Sequence, residues 1–265
     1  MENFEKLKSE RNIEKDQQAF IEAIAVTSIK EIPAIFSEMD TEDLMSSLKS
    51  TKALLLGEVH GVKENVDVIY TLFKRFGFRN LALEWRPELK GVTEKFLESG
   101  ELDFNAIQES PDGRISAGHF ALLQKLKTEG ILEGVVCYDG GAEVQGWNAR
   151  DEAMAKNILD SLSDTPTLIV AGNFHARTES FSFDEEAGEK HPMGENIKNV
   201  IPSIAAGRIA YRSGYYHNFG TKEFTPLSEG ESSSGPKFYR DENEVYIFEL
   251  VEAHAAIVPN PSERI

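Results

Sequence analysis

The segment from residue 53 to residue 61, ALLLGEVHG, constrains the fold more than any other part of the chain. A short apolar run bounded by glycine predicts a strand that is buried on both faces, as in a parallel sheet. Glu58 and His60 stand two residues apart at its end, so an extended backbone directs both side chains to the same side. Such a pair can bind a metal, activate water or tune the histidine toward neutral pH. The alternative is a strand-end histidine that the carboxylate merely holds in place.

Three more apolar runs follow, NLALEW, GVVCYD and TLIVAG, and helical spacing separates each from the next. Between residues 62 and 76, apolar residues recur at intervals of three and four, which predicts an amphipathic helix that Gly77 ends. RIAYRSGYY and EVYIFEL predict later strands. We therefore expect an α/β fold, with a mostly parallel central sheet flanked by helices and right-handed crossovers.

The chain divides into three predicted regions. Residues 1–50 form a helical lead-in packed on the core, with a second short helix that Asp40 or Thr41 caps; residues 51–258 form the α/β domain; residues 259–265 form a loose tail that Val258 introduces. The stretch from 217 to 243 is rich in Ser, Gly and Pro and predicts a long irregular connection. FDEEAGEKH, at 183–191, predicts a loop that is either mobile beside the site or simply solvated.

Several chemically active residues stand at the predicted carboxyl ends of strands, where ligands bind in parallel sheets. We expect one rim to gather Glu58, His60, Glu84, Asp139 and His175. Arg150 follows Asn148, the predicted cap of the next helix, and lies in line with apolar residues. A buried arginine there needs a carboxylate or an anionic ligand, whereas an exposed one reaches into water.

Composition limits the partners and the compartment. The formal net charge of −17 argues against nucleic acid or an anionic membrane as the principal partner and favours something neutral or cationic. We expect a small-molecule or peptide substrate. Cys137 is the only cysteine, so no intrachain disulfide can form, and a buried inert thiol is a better interpretation than a nucleophile. The charged N-terminus lacks a signal-peptide core and no run is long enough for a membrane span. We expect a cytoplasmic protein, with secretion by a signal-less route left open.

Familiar catalytic motifs are missing: the sequence has no GxSxG, HExxH, GxxxxGK[ST] or GxGxxG. The histidine, carboxylate and arginine set suits hydrolysis of an ester or amide bond. In the leading hypothesis His60 is the general base toward water, Glu58 and Glu84 orient it or the water, and the oxyanion is stabilised by His175 and Arg150. In a second version a divalent metal lowers the pKa of water, and its possible ligands are His60, His175, Glu58 and Glu84.

Five motifs, LLLGEVHG, LALEW, NARDEAMAKNI, VAGNFHA and PMGENIKN, carry a further signal over roughly residues 50 to 200. In this order they resemble the superfamily that unites erythromycin esterases, ChaN-like haem-uptake proteins and Tiki metalloproteases. The resemblance implies that Glu58 and His60 match the family's GE and His motif and that Glu84 matches its second acidic position. It also implies that the RD pair is Arg150 and Asp151 and that the late histidine is His175.

The three branches imply different functions: metal-free base catalysis by His60 in the esterases, a divalent metal in the Tiki-like members, and haem in the ChaN-like members. The spacing of Glu58 and His60 resembles the ChaN-like and Tiki-like patterns, whereas NARDEAMA, GNFHA and PMGENI resemble the esterases. Tyr215, Tyr216 and His217 could ligate haem, or form a strand-end aromatic cluster. The leading function is therefore a hydrolase; the alternatives are a haem- or ligand-binding protein without turnover, and a toxin or effector domain of the same fold.

Overall fold

The computed structural model describes residues 2–108, 110, 112–140, 144–183, 188–224 and 235–259, with side chains from residue 13 onward. Helices and strands alternate through most of it. In chain order they are α1 (Glu2–Val26), β1 (Ile35–Phe36), α2 (Glu38–Thr51), β2 (Ala53–Glu58), α3 (Asn65–Phe76), β3 (Asn80–Leu83), α4 (Leu89–Ser99), α5 (Phe104–Ile107), α6 (Ala117–Thr128), β4 (Gly134–Cys137), α7 (Trp147–Ser161), β5 (Thr167–Gly172), α8 (Met193–Val200), β6 (Ala205–His217), β7 (Thr221–Glu223), β8 (Lys237–Arg240) and β9 (Tyr246–Ala253).

The described strands form one nine-stranded sheet in the order β1-β8-β9-β6-β2-β5-β3-β4, and β7 pairs with β6 beside this path. The six strands from β9 to β4 in that order run parallel to one another. β8 runs antiparallel to β9, and β7 runs antiparallel to β6. The predicted α/β class with a mostly parallel sheet is confirmed.

The central strand β2 explains where the core lies. All six of its residues are buried, because helices cover both faces of the sheet. Leu54 and Leu56 pack into the larger core, with α3 and α6. Leu55 points the other way and packs with apolar residues of α7 and α8. Alternate residues of β2 thus pack into the apolar clusters on the two faces of the sheet. This packing fixes the position of Glu58 at the end of the strand.

The N-terminal helices differ in detail from the prediction. α1 packs on α6, where the ring of Phe20 lies 6.0 Å from that of Phe120. α2 begins at Glu38, and Ser37 caps it by accepting a hydrogen bond from the Asp40 backbone N–H at 3.4 Å. The predicted cap at Asp40 or Thr41 was therefore placed too late, because the earlier serine already supplies a side-chain oxygen.

Asn148 does not cap α7, which begins one residue earlier, at Trp147. Its side-chain amide instead donates to the backbone carbonyl of Glu189 at 3.1 Å and accepts from the backbone N–H of His191 at 3.0 Å. Asn148 therefore ties the end of the predicted acidic loop to α7. Residues 184–187 of that loop lie outside the described residues.

The predicted irregular connection from 217 to 243 contains β7 and β8, and its residues 225–234 lie outside the described part. Val258 is buried and so does not begin a loose tail, while residues 260–265 are also outside the described part. Among the helices that are described, none is long and apolar enough to cross a membrane.

Candidate active site

The carboxyl edge of the sheet gathers all the residues predicted for the rim. Glu58 ends β2, Glu84 follows β3, Asp139 follows β4 and His175 follows β5. These four parallel strands are neighbours in the sheet, so their ends meet at one edge. His60 lies in the turn after β2, and Arg150 projects into the site from the first turn of α7.

His60 lies between two buried carboxylates. Its Nδ1 is 3.1 Å from Glu58 Oε1, and its Nε2 is 3.5 Å from Glu84 Oε2. Burial by itself would lower the pKa of His60, but the charges and hydrogen bonds of Glu84 and Glu58 outweigh it and raise the pKa to about 10. His60 is therefore an imidazolium at neutral pH, with an N–H on each ring nitrogen.

The backbone around His60 is fixed by contacts that are remote in sequence. The carbonyl of Val59 accepts from the Asn65 side chain at 2.8 Å, and Asn65 in turn accepts from the Tyr211 hydroxyl at 2.5 Å. Gly61 donates to the Gly113 carbonyl at 3.0 Å, and its own carbonyl accepts from the His217 N–H at 3.0 Å. This network joins β6 and the loop before α6 to the turn that carries His60.

Glu84 lies at the centre of the site, with both carboxylate oxygens occupied. Oε2 accepts from the Gly172 backbone N–H at 2.8 Å. Oε1 lies 2.9 Å from Nη2 of Arg150 and 3.1 Å from Nη1 of Arg114. Burial would raise the pKa of Glu84, but the charge and hydrogen bond of His60, with the charges of Arg114 and His175, outweigh it and hold the pKa well below its usual value. Glu84 is thus ionised, and its carboxylate is held in place by a backbone N–H and two guanidinium groups.

Arg114 and Asp112 are site residues that sequence reasoning missed. Arg114 Nη1 donates to Asp139 Oδ2 at 2.9 Å, and Arg114 Nε donates to Asp112 Oδ2 at 2.6 Å. Arg150 Nε donates to the other oxygen of Asp139 at 2.9 Å. Two guanidinium groups therefore share Glu84 and Asp139. The only local signal was the polar DGR turn ahead of α6, which has no periodicity.

His175 is oriented by a second carboxylate. Its Nδ1 lies 2.7 Å from Oδ1 of Asp151, which is fully buried and also accepts from the Met193 backbone N–H at 2.8 Å. Because the guanidinium of Arg150 only donates, Nε2 of His175, which faces it, holds a lone pair, and the ring N–H on Nδ1 points at Asp151. Nη1 of Arg150 faces that lone pair at 3.3 Å, which is the longest contact Arg150 makes in the site.

Buried polar atoms without hydrogen-bond partners concentrate at this site. Among the described residues they are Glu58 Oε2, His119 Nε2, Trp147 Nε1 and Asn173 Oδ1. Trp147 stacks on His175 with 4.5 Å between ring centroids, and the Asn173 backbone donates to the Glu58 carbonyl at 2.9 Å. Folded proteins satisfy almost all buried polar groups, so this concentration marks a place that water or a ligand completes.

His119 and its partner Ser116 also escaped the sequence analysis. Ser116 Oγ lies 2.9 Å from Nδ1 of His119, and the His119 ring packs edge-on against Trp85 at 5.8 Å. Burial lowers the pKa of His119, which favours a neutral ring. Trp85 follows Glu84 and donates from Nε1 to the Arg114 carbonyl at 2.9 Å. His119 thus supports the segment that carries Arg114.

The side chains do not fit the divalent metal that one branch of the resemblance implies. Glu84 already accepts from two guanidinium groups and a backbone N–H, and Asp139 accepts from the same two arginines. Within the described residues, no group of three His, Cys, Asp or Glu side chains is placed to hold a metal ion. The positive charges that neutralise these carboxylates come from arginine side chains, which are always protonated. The two carboxylates therefore need no metal ion as a counter-charge.

The residues suggested for haem lie at the far end of β6. Tyr215 is about half exposed, and the Tyr216 ring packs against Phe224 with 4.8 Å between centroids. His217 is buried, and its backbone N–H donates to Gly61. This arrangement matches the alternative, a strand-end aromatic cluster.

Comparison with known proteins gives a likeness of fold. No family model and no curated protein matches the chain. A solved succinoglycan biosynthesis protein aligns with a TM-score of 0.58 at 11% identity, over 91% of this chain and 98% of that one. A mutant of the erythromycin esterase EreC in its open conformation aligns with a TM-score of 0.55 at 13% identity, over 73% of this chain and 80% of that one. The chain therefore has a fold similar to that of each of these two proteins, and the predicted resemblance is confirmed as a likeness of fold.

Proposed function

We propose that the chain is a hydrolase of ester or amide bonds in a small-molecule or peptide substrate, and that two histidines carry the proton transfers. The observation that supports this is the different pairing of the two rings. Carboxylates flank both ring nitrogens of His60, whereas His175 has the carboxylate of Asp151 at Nδ1 and the guanidinium of Arg150 at Nε2. Paired titratable groups in contrasting environments are typical of an acid and a base that act together.

In this proposal His175 is the general base. Asp151 fixes the tautomer in which Nε2 has the lone pair, and water can displace the 3.3 Å contact with Arg150. Water bound there gives its proton to Nε2 of His175 as its oxygen attacks the carbonyl carbon. Asp151 stabilises the imidazolium that forms, as the buried aspartate of a Ser-His-Asp triad does for its histidine.

His60 is the proton donor. Its Nε2 lies 3.5 Å from Glu84 Oε2, the longer of its two carboxylate contacts, so in this proposal the substrate carbonyl oxygen replaces Glu84 as the acceptor of that N–H. The imidazolium of His60 and the guanidinium of Arg150 stabilise the oxyanion. Collapse of the intermediate breaks the bond to the leaving group, which takes the proton of His60. Transfer of the proton from His175 back to His60 through solvent restores the site.

The roles of the two histidines are thus exchanged relative to the sequence hypothesis, which made His60 the base. A pKa of about 10 leaves His60 without a lone pair at neutral pH. A base role would require it to release its own proton first, against the pull of Glu58 and Glu84. The proposed chemistry is still hydrolysis, and Asp151 joins the residues that take part in it.

Turnover of a panel of esters, lactones and peptides, with and without a chelator, tests this function. We expect hydrolysis that survives chelation and falls at least about 100-fold in His175→Asn and in His60→Gln. His191→Asn is the matched control, since the side chain of His191 is exposed and pairs with Glu189 and Glu195, outside the candidate active site. Full activity in both site variants would overturn the proposal. So would no turnover on any substrate together with a Soret band on adding haem.

A further inference from the structure

We propose that an aromatic surface beside His175 binds a planar aromatic group of the substrate, an inference that rests on the proposed hydrolase. The aromatic surface consists of four residues, Trp147, Phe174, Phe181 and Phe183. Two of them come from the loop that follows His175, one directly precedes it, and the fourth begins α7. The substrate class is thus an ester or amide with a flat aromatic ring next to the scissile bond.

The four rings form one connected cluster. Phe183 meets Trp147 edge-on at 5.4 Å, Phe174 at 5.1 Å and Phe181 at 5.0 Å between centroids. Phe174 and Phe181 stack at 5.7 Å with 23° between their planes. These offset and edge-to-face arrangements are the ones that aromatic rings prefer, and a further ring could extend them.

The cluster presents its apolar faces to solvent. Phe174 is 51% exposed and Phe183 is 49% exposed, whereas most other phenylalanines in the described chain are buried. The guanidinium of Arg177 lies 4.5 Å from the centroid of Phe181, so that face is already covered. Phe174 and Phe183 are therefore the rings available to a ligand. A contiguous exposed aromatic surface is unusual away from binding sites.

The aromatic surface is continuous with the candidate active site. The rings of Trp147 and His175 are stacked, with only 15° between their planes. Phe174 also borders a cavity of about 420 Å³ that Asn173 and Arg177 help to line. A ring seated against Phe174 and Phe183 thus joins a cluster that reaches the proposed base through Trp147, and the cavity beside Phe174 gives it open space. Contacts of this kind bind the substrate beside His175 without taking part in the proton transfers.

Fluorescence quenching tests binding without requiring turnover. The chain has two tryptophans, and since Trp85 is 1% exposed, a ligand on the aromatic surface is reported by Trp147. We titrate 4-nitrobenzyl alcohol, a planar quencher that cannot be hydrolysed, and correct for its absorption. We expect saturable quenching that Trp147→Phe abolishes. We expect the double variant Phe174→Ser with Phe183→Ser to raise the Kd roughly fivefold or more. We also expect that cyclohexylmethanol, the saturated analogue, does not compete for the surface.

The matched control is Ile35→Ser, which removes a 65% exposed apolar side chain on β1, at the opposite edge of the sheet. It leaves the Kd unchanged, and circular dichroism verifies folding of each variant. An unchanged Kd in the double phenylalanine variant would overturn the inference. Equal competition by the saturated alcohol would overturn it too.

Kinetics separate this inference from the proposed function. The double variant is expected to lower the ratio of kcat/KM for 4-nitrobenzyl acetate to kcat/KM for cyclohexylmethyl acetate by roughly fivefold or more. If neither ester is hydrolysed but the variant still loses quenching, the hydrolase proposal fails and the aromatic surface stands. If both esters are hydrolysed with an unchanged ratio, the hydrolase stands and the aromatic surface fails.

Discussion

Asp151 accepts a hydrogen bond from Nδ1 of His175 at 2.7 Å, and it does so from a fully buried position at the start of α7. Its other oxygen accepts from the Met193 backbone N–H at 2.8 Å, so the carboxylate is fixed from two directions. The contact between Asp151 and His175 sets which ring nitrogen of His175 has the lone pair. The proposed role of His175 as the base depends on that assignment.

Asp151→Asn tests that dependence. The amide places an N–H near Nδ1, which favours the tautomer with the proton on Nε2 and removes the base. We expect kcat to fall by roughly 100-fold or more while the fold is kept. Steady-state kinetics with circular dichroism measures this. An unchanged kcat would show that Asp151 only anchors α8.

Gly61→Ala tests how tightly the turn after His60 is fixed. Gly61 has φ of +72°, and a Cβ there would overlap the His217 carbonyl. We expect a loss of stability greater than 1 kcal/mol and a large loss of activity, because the turn must move. Gly91→Ala is the control, since a Cβ in that helical position meets no atom within 4 Å and should stabilise by about 0.5–1 kcal/mol. Equal effects in urea denaturation would contradict the account.

Arg114→Met tests the arginine pair. Removing one guanidinium leaves Glu84 and Asp139 with excess negative charge in a buried place, so the free energy of unfolding should fall by about 3 kcal/mol. Lys156→Met, which breaks the exposed pair with Asp160, should change it little. Chemical denaturation compares the two variants. Similar values would mean that Arg114 is not needed to hold the site.

The charge of His60 should appear in the pH dependence of stability. Its folded-state pKa of about 10 lies above the ordinary histidine value of 6.5, so the folded protein holds this proton more tightly than the unfolded chain does. The stabilisation is fully present below pH 6.5 and is lost as the pH rises through about 10. Urea denaturation between those values should therefore show a steeper decline for the wild type than for His60→Gln. Parallel curves would place the pKa of His60 near its ordinary value.

Much of the fold could be predicted because its signals are local. The apolar runs of β2, β3, β4 and β5 and the spacing of α3 are readable within a few residues. β7 and β8 were missed because they are short and polar, and pairing defines them. Lys237 to Arg240, for instance, become a strand by pairing antiparallel to β9.

Site residues that follow strands could be predicted from the strand pattern, and Arg150 from its place on a predicted helix and from the family resemblance, whereas Arg114 could not. Glu58, Glu84 and His175 owe their positions to strand ends, which the sequence marks. Arg114 arrives through remote contacts, namely the Trp85 indole on its carbonyl and the Gly61 N–H on the carbonyl of Gly113. The charge of His60 also depends on Glu84, so no local motif could reveal it.

The pH dependence of kcat/KM tests the central claim most directly. Measured from pH 6 to 11 on the best ester of the panel, with folding monitored throughout, the wild-type value should fall as the pH rises through about 10, because His60 loses the proton it donates. His60→Gln should be slower throughout and lack that fall. A wild-type kcat/KM that instead rises toward pH 10, with the rise absent from His60→Gln, would make His60 the base and contradict the account.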